Sequence, residues 1–446
     1  MVAVLVASAC GRSGSSKATA TTAGATGTTV PAAGVGDFGT LKSVCGPGDA
    51  KGATAPGVTD TSISMATMSD PGYTAVPGLN QELFDAADAF VGWCNAAGGI
   101  LGRKIVLHKR DAALTQVAAK MIESCQAPDF MLAGNGEALD ATGVQQRLSC
   151  GLPEIAAYDV SAAAGTAPLS IDPIPVPNNM SNLGGAWRAL AAYDPAVKPK
   201  YGLISSNQQS IKDSGNRDKA AAEVVGFTNV SYQEAPPAVD NYRPYVENLH
   251  GAGVQVLGIQ AQASQDIGYF KSMADVGYFP KYVLLNGNNY DPNMISLGGS
   301  LLNSFTGGVL VNSAIVPFEL ASQYPAVQQY IDLLNKYVGG AKPKSLGVNA
   351  MSAWLLWATA AKACGANLTR DCVMSHASAT KDWTAGGLHS PQGPGNATVP
   401  GSQCFVLLKA TPSGFVVDKD ITKPNSGIFN CDPANAFALK GFPQSS

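Results

Sequence analysis

Charge is scarce in this chain. Only 14% of its 446 residues are Asp, Glu, Lys or Arg, and the formal net charge is −3. No basic stripe interleaved with aromatics runs through it, which excludes nucleic acid as the main partner. Histidine is scarcer still. His108, His250, His376 and His389 show no ligand spacing and no Cys-x-x-Cys occurs, so no metal is expected. No Gly-x-Ser-x-Gly elbow is present, and no phosphate-cradling Gly-x4-Gly-Lys-Ser/Thr loop. The stretch "GNGEALDATG" from Gly134 begins like a dinucleotide loop, but Leu139 stands at the third glycine. No cofactor is therefore expected. Beyond the first residues, no apolar run is long enough to span a bilayer.

What is present is 46% hydrophobic residues, enough for large cores, in a length that suits two or three domains. The N-terminus, "MVAVLVASA" followed by Cys10, resembles a bacterial lipoprotein signal, although Ala7 replaces the commoner leucine and no positive region precedes it. Residues 1–10 are read as that signal, with Cys10 lipidated. This implies an extracytoplasmic protein anchored through lipid to the outer face of the cytoplasmic membrane. Gly11 to Thr40 holds almost no large apolar residues and cannot build a core. Residues 11–56 are read as a flexible linker and lead-in. Eight further cysteines remain: Cys45, Cys94, Cys125, Cys150, Cys364, Cys372, Cys404 and Cys431. An even count in an exported chain suggests disulfides. Proximity favours sequential pairing, with the other pairings open.

From Ser62 onward, strands alternate with helices. "SISMATM" reads as a strand. Leu83, Ala87, Phe90, Val91 and Cys94 recur at helical spacing, with Asn80 as a candidate cap. Gly98 supplies a left-handed stop and "KIVLHKRD" returns as a strand. The same alternation continues through "DFMLAG", "LPEIAAY", "KYGLISS", "VSYQEA", "VQVLGIQ" and "KYVLLNG". This predicts parallel sheets covered on both faces. One sheet would need about ten strands, so two α/β lobes are the more economical solution. "IDPIPVPNN", "GGVLVNSAIVP" and "GGLHSPQGPGN" are candidate crossovers, and the "QCFVLLKATPSGFVVDKD" segment reads as a hairpin.

Gly57-Val58-Thr59 before the first strand, Asn95-Ala96-Ala97-Gly98-Gly99, then Gly102-Arg103-Lys104 and Asp111, together resemble the type I periplasmic binding proteins. Within these the chain is most similar to leucine/isoleucine/valine-binding-like receptors of ATP-binding-cassette (ABC) importers. The resemblance implies an α/β fold of two lobes, each a mostly parallel sheet flanked by helices, joined by three crossovers at a hinge. Lobe 1 is expected over 57–175 and 312–386, and lobe 2 over 176–311 and 387–446. It also implies a monomer, a small-molecule, amino-acid-like ligand held between the lobes, and ABC permease subunits as partners.

Ligand-binding candidates follow from the strand ends, where parallel sheets present their sites. In lobe 1 they are Ser69, Asp70, Tyr73, Asn135, Glu137, Tyr158, Asp159 and Ser161. In lobe 2 they are Asn207, Gln208, Gln260, Gln262, Asn286, Asn288 and Tyr290. Two family clamps look altered. Glu137 and Ala138 replace the hydroxyls that hold an α-carboxylate, and Asn286 stands where an acid would hold the ammonium. A neutral or hydroxyl- or amide-bearing solute, or an aromatic one, fits better than an unmodified α-amino acid. No catalytic residue is assigned. A lipid-anchored sensor uncoupled from transport, and an exported enzyme, stand as the alternative readings.

Overall fold

In the first strand, Ser62–Ser69 (β1), Ile63 and Met65 pack into one core while Ala66 and Met68 pack into another. A strand buried on both faces belongs inside a parallel sheet covered by helices. The computed structural model describes residues 34–442; Cys10 and most of the expected tether lie outside them. The helix that follows, Gln81–Ala97, buries Leu83, Ala87, Phe90 and Cys94. Its Phe90 stacks on Trp354 at 5.3 Å. It ends at Gly98 (φ 122°) and Gly99 (φ 82°), and the Gly99 N–H caps the Cys94 carbonyl at 2.8 Å. Only glycine takes such angles freely. The reversal delivers the chain into Lys104–Asp111 (β2), parallel to β1. Asn80 stands at the helix start in a left-handed conformation (φ 54°) and makes no side-chain cap. Its amide is drawn instead to the Tyr158 hydroxyl, 2.7 Å away.

Met131–Ala133 (β3), Glu154–Ile155 (β4) and Ser170–Ile171 (β5) complete a five-stranded parallel sheet in the order β2-β1-β3-β4-β5. The second sheet takes Tyr201–Ser206 (β6), Asn229–Ala235 (β7), Val256–Ile259 (β8), Tyr282–Leu285 (β9) and Gly308–Ser313 (β10), all parallel. It then takes Cys404–Thr411 (β11), Gly414–Val417 (β12) and Asn430–Cys431 (β13), all antiparallel. The order is β12-β11-β10-β9-β8-β6-β7, with β13 on β11. The stretch Gly307–Pro317, read from sequence as a crossover, is largely β10, with every strand residue buried. A continuous apolar run is what a fully covered parallel strand needs, so the second sheet keeps the chain until Ser313.

The chain passes between the sheets along three adjacent segments. Asp172 bridges Gly395, and Ile315 bridges His389. After the second pass, the helices Pro325–Tyr337 and Ser345–Ala363 return to pack on Gln81–Ala97. The cysteines form Cys45–Cys94, Cys125–Cys150, Cys364–Cys372 and Cys404–Cys431, the pairing that proximity favours. The lead-in from Gly34 is held by the first of these. Phe38 and Val44 join the core, and Gln329 hydrogen-bonds Gly39 and Asp37. No helix among the described residues is long and apolar enough to cross a membrane.

Candidate ligand-binding site

Parallel strands all end on one side, so Ser69, Ala133, Ile155 and Ile171 of the first sheet face the loops after Ser206, Ala235, Ile259 and Leu285 of the second. Between these ends lies a cleft of about 330 Å³, within the range of small-molecule sites. Eight of the sequence candidates line it: Tyr73, Tyr158 and Asp159 from the first lobe, and Gln208, Gln260, Gln262, Asn286 and Asn288 from the second. The wall between them is mostly apolar, with Leu114, Ile174, Ile211, Val239 and Leu346 contributing.

The other seven candidates stand off the cleft wall, six of them engaged elsewhere. Ser69 Oγ donates to the Asn80 carbonyl at 2.9 Å. The Asp70 carboxylate accepts the Leu114 and Ala138 N–H groups at 2.8 and 2.9 Å and so ties two rim loops to β1. Asn135 donates to Glu154 at 3.1 Å. Ser161 caps a short helix through Ala164 N–H. Glu137 is buried and its Oε1 has no partner. Asn207 is exposed and accepts from Gln208. Tyr290 stacks on Phe318 at 5.0 Å, accepts the Phe318 N–H at 2.6 Å and donates to Glu319.

Two polar centres back the cleft. Behind the second lobe's wall is Asp218, on the helix Gln209–Val224. Its carboxylate accepts from Ser181 Oγ, Gln260 Nε2 and Asn286 Nδ2, the last at 3.1 Å. Burial raises its pKa, and those three donors oppose the rise. Behind the first lobe's wall is a group of carboxyls. Asp159 lies beside Asp172, whose charge helps to raise its pKa. Burial, and then their acidic neighbours, push Asp159, Asp172 and Glu137 well above the usual carboxylate range. Arg147 is the cation facing them, 3.0 Å from Glu154 and 1% exposed.

Contacts also cross between the lobes. Arg217 on the Gln209–Val224 helix donates to the Val160 carbonyl at 3.3 Å. Lys344 reaches Asp291 after β9 at 3.0 Å and Glu82 of the first lobe at 3.5 Å.

Sequence reasoning missed Asn80, Ser181, Asn182 and Asn312, which line the cleft, and Asp218 behind it. Three of these sit on or beside crossovers. A signal was available, because crossover segments between two lobes floor whatever lies between the lobes. Asp218 gave none, since a mid-helix aspartate normally reads as a solvated face.

Two other constellations resolve into structure. Ser352 Oγ meets His389 Nε2 at 2.9 Å, while Nδ1 faces the Ser390 carbonyl at 2.7 Å and Trp383 donates to Ser352. Burial holds this histidine's pKa down at about 4, so it is neutral, and the pair fastens the third crossover to the helix Ser345–Ala363. Cys364, Cys372 and His376 lie together, but the two sulfurs are bonded to each other.

Comparison with known proteins agrees with this architecture. None of the curated proteins matches the sequence significantly. Among solved structures, a fatty acid ABC transporter substrate-binding protein from Thermomonospora curvata is similar at 16% identity and TM-score 0.69, covering 86% of this chain and 95% of its own. A possible leucine/isoleucine/valine-binding protein from Rhodopirellula baltica has 13% identity and TM-score 0.65, covering 82% and 98%. A leucine-binding protein from Thermotoga maritima has 12% identity and TM-score 0.63, covering 80% and 97%. At these identities the likeness is one of fold. The family model for periplasmic binding proteins matches residues 72–414, and the chain belongs to that family.

Proposed function

We propose that the protein is an extracytoplasmic solute receptor that captures a small molecule in the interlobe cleft and delivers it to an ABC importer. It acts as a receptor and not as a catalyst. Tyr73, Tyr158, Asp159, Gln208, Gln260, Gln262, Asn286 and Asn288 are proposed to meet the ligand. The remaining candidates position them through the loops. The supporting observation is the cleft itself, formed where the strand ends of two sheets face each other across three adjacent chain passes. Ligand drives such a clamshell shut only if the closed state binds it more tightly than the open one. Lipid attachment at Cys10 would keep the receptor beside its permease.

The test is a thermal-shift screen of the full chain against a broad metabolite panel. A true ligand at 100 times its Kd adds about 2.7 kcal/mol of stability. A panel-wide absence of any shift contradicts the receptor reading.

A further inference from the structure

Resting on the receptor reading, we infer that the cleft takes an amine: a small organic cation with an apolar body and no carboxylate. Among the described residues that line the cleft there is no Lys, Arg or His, and the one acidic residue is Asp159. Arg217 donates to the Val160 carbonyl from outside that lining and is faced by Asp218, Asp213 and Asp140.

The amides tell the same story. Asn286 spends its Nδ2 on Asp218 at 3.1 Å and on Gln260 Oε1 at 3.2 Å. Asn312, 6% exposed, spends its Nδ2 on the Asn182 carbonyl at 3.0 Å. Those partners accept hydrogen bonds, which fixes each amide with its oxygen free. Asn80, 5% exposed, donates to the Tyr158 hydroxyl. In all three the Oδ1 is buried without a partner, and so is Asp159 Oδ2. The cleft lining therefore carries buried, unmatched carbonyl and carboxyl oxygens from both lobes, beside the Ser205 hydroxyl, which is likewise unmatched and can donate or accept. Buried acceptors left unmatched are unfavourable, so a ligand that donates relieves them and one that accepts does not. An ammonium is three donors and no acceptor. A carboxylate would set acceptor against acceptor, beside an Asp159 oxygen that is already buried without a partner. Glu154 and Asp140 stand behind Asp159 and raise its pKa against the facing cation Arg147, so a ligand cation would draw its carboxyl back toward the charged form. The apolar wall then receives the ligand's hydrocarbon body.

Calorimetric titration of the full chain tests this with matched probes. For each of three bodies (3-methylbutyl, 2-phenylethyl and octyl) the amine, the neutral alcohol and the carboxylate are compared. At least one amine should bind, and each binding amine should do so at least ten times more tightly than its alcohol and acid. Asp159→Asn should weaken that amine at least tenfold while the variant still melts cooperatively. The inference is overturned if an acid or alcohol equals its amine, if Asp159→Asn binds the amine unchanged, or if all nine probes are silent. In the first two cases the receptor reading survives, because a probe has bound. In the third, the metabolite screen decides that reading separately.

Discussion

Replacing Asp218 with alanine should weaken ligand binding at least tenfold and destabilise the second lobe together. Three side chains are aimed by this one carboxylate: Ser181, Gln260 and Asn286. All three line the cleft, and Asp218 itself does not. Without it, Ser181 and Gln260 lose their carboxylate acceptor and Asn286 keeps only Gln260, on a half-buried part of the cleft wall. Each buried orphan costs about 1–3 kcal/mol, partly offset because the raised pKa shows the carboxylate was itself costly to bury, so a net loss of about 2–4 kcal/mol is expected. The binding loss has a different origin. Asn286 and Gln260 become free to rotate, and their amide groups no longer present a fixed face. A loss of tenfold or more in affinity is about 1.4 kcal/mol. Asp218→Asn separates hydrogen bonding from charge. Its carbonyl oxygen can still accept from Gln260 and Asn286, while its NH2 donates to the Ser181 hydroxyl, which turns to accept. This variant should keep most of the affinity. Chemical denaturation and calorimetric titration read the two effects, and an alanine variant that binds like the parent would refute the assignment.

Arg147→Met should destabilise the first lobe by about 3–5 kcal/mol, the usual consequence of removing one partner from a buried ion pair. The guanidinium is 1% exposed, pairs with Glu154 and donates to the Leu152, Leu169 and Pro168 carbonyls, joining β4 to β5. It also faces Glu137, Asp159 and Asp172. Those acids have raised pKa values, so between the unfolded carboxylate value of about 4 and their own, the folded state holds more protons. Stability therefore rises as pH falls through that window. His389 acts oppositely: held at about 4, its contribution is lost as pH drops below about 6.5. The gain that these acids contribute as pH falls toward the ordinary carboxylate value should be larger in Arg147→Met than in the parent, read as the slope of melting temperature against pH in the two proteins. Equal slopes in the two proteins would show that Arg147 does not face the acids electrostatically.

The sequence spoke clearly about some parts and not others, for physical reasons. Helix Gln81–Ala97 and its glycine stop were legible because periodicity and left-handed turns are local properties. The disulfides followed from chain proximity. Of Gly307–Pro317, expected as a crossover, Gly308–Ser313 proves to be β10 and the pass between the sheets follows at Ile315, because a buried strand and an apolar linker share a composition. Strand ends located the rim, but which rim residue turns inward depends on loop contacts. Asp70 and Tyr158 both follow strands of the first sheet, yet one is consumed by backbone N–H groups while the other lines the cleft. Asp218 could not be foreseen, because its role exists only once Ser181, Gln260 and Asn286 converge from distant positions.

Small-angle X-ray scattering of the full chain, with and without the tightest-binding compound from the screen, reads lobe closure directly. A smaller radius of gyration is expected with ligand, reached at the concentration that saturates the calorimetric signal. An unchanged scattering profile at saturation would contradict it.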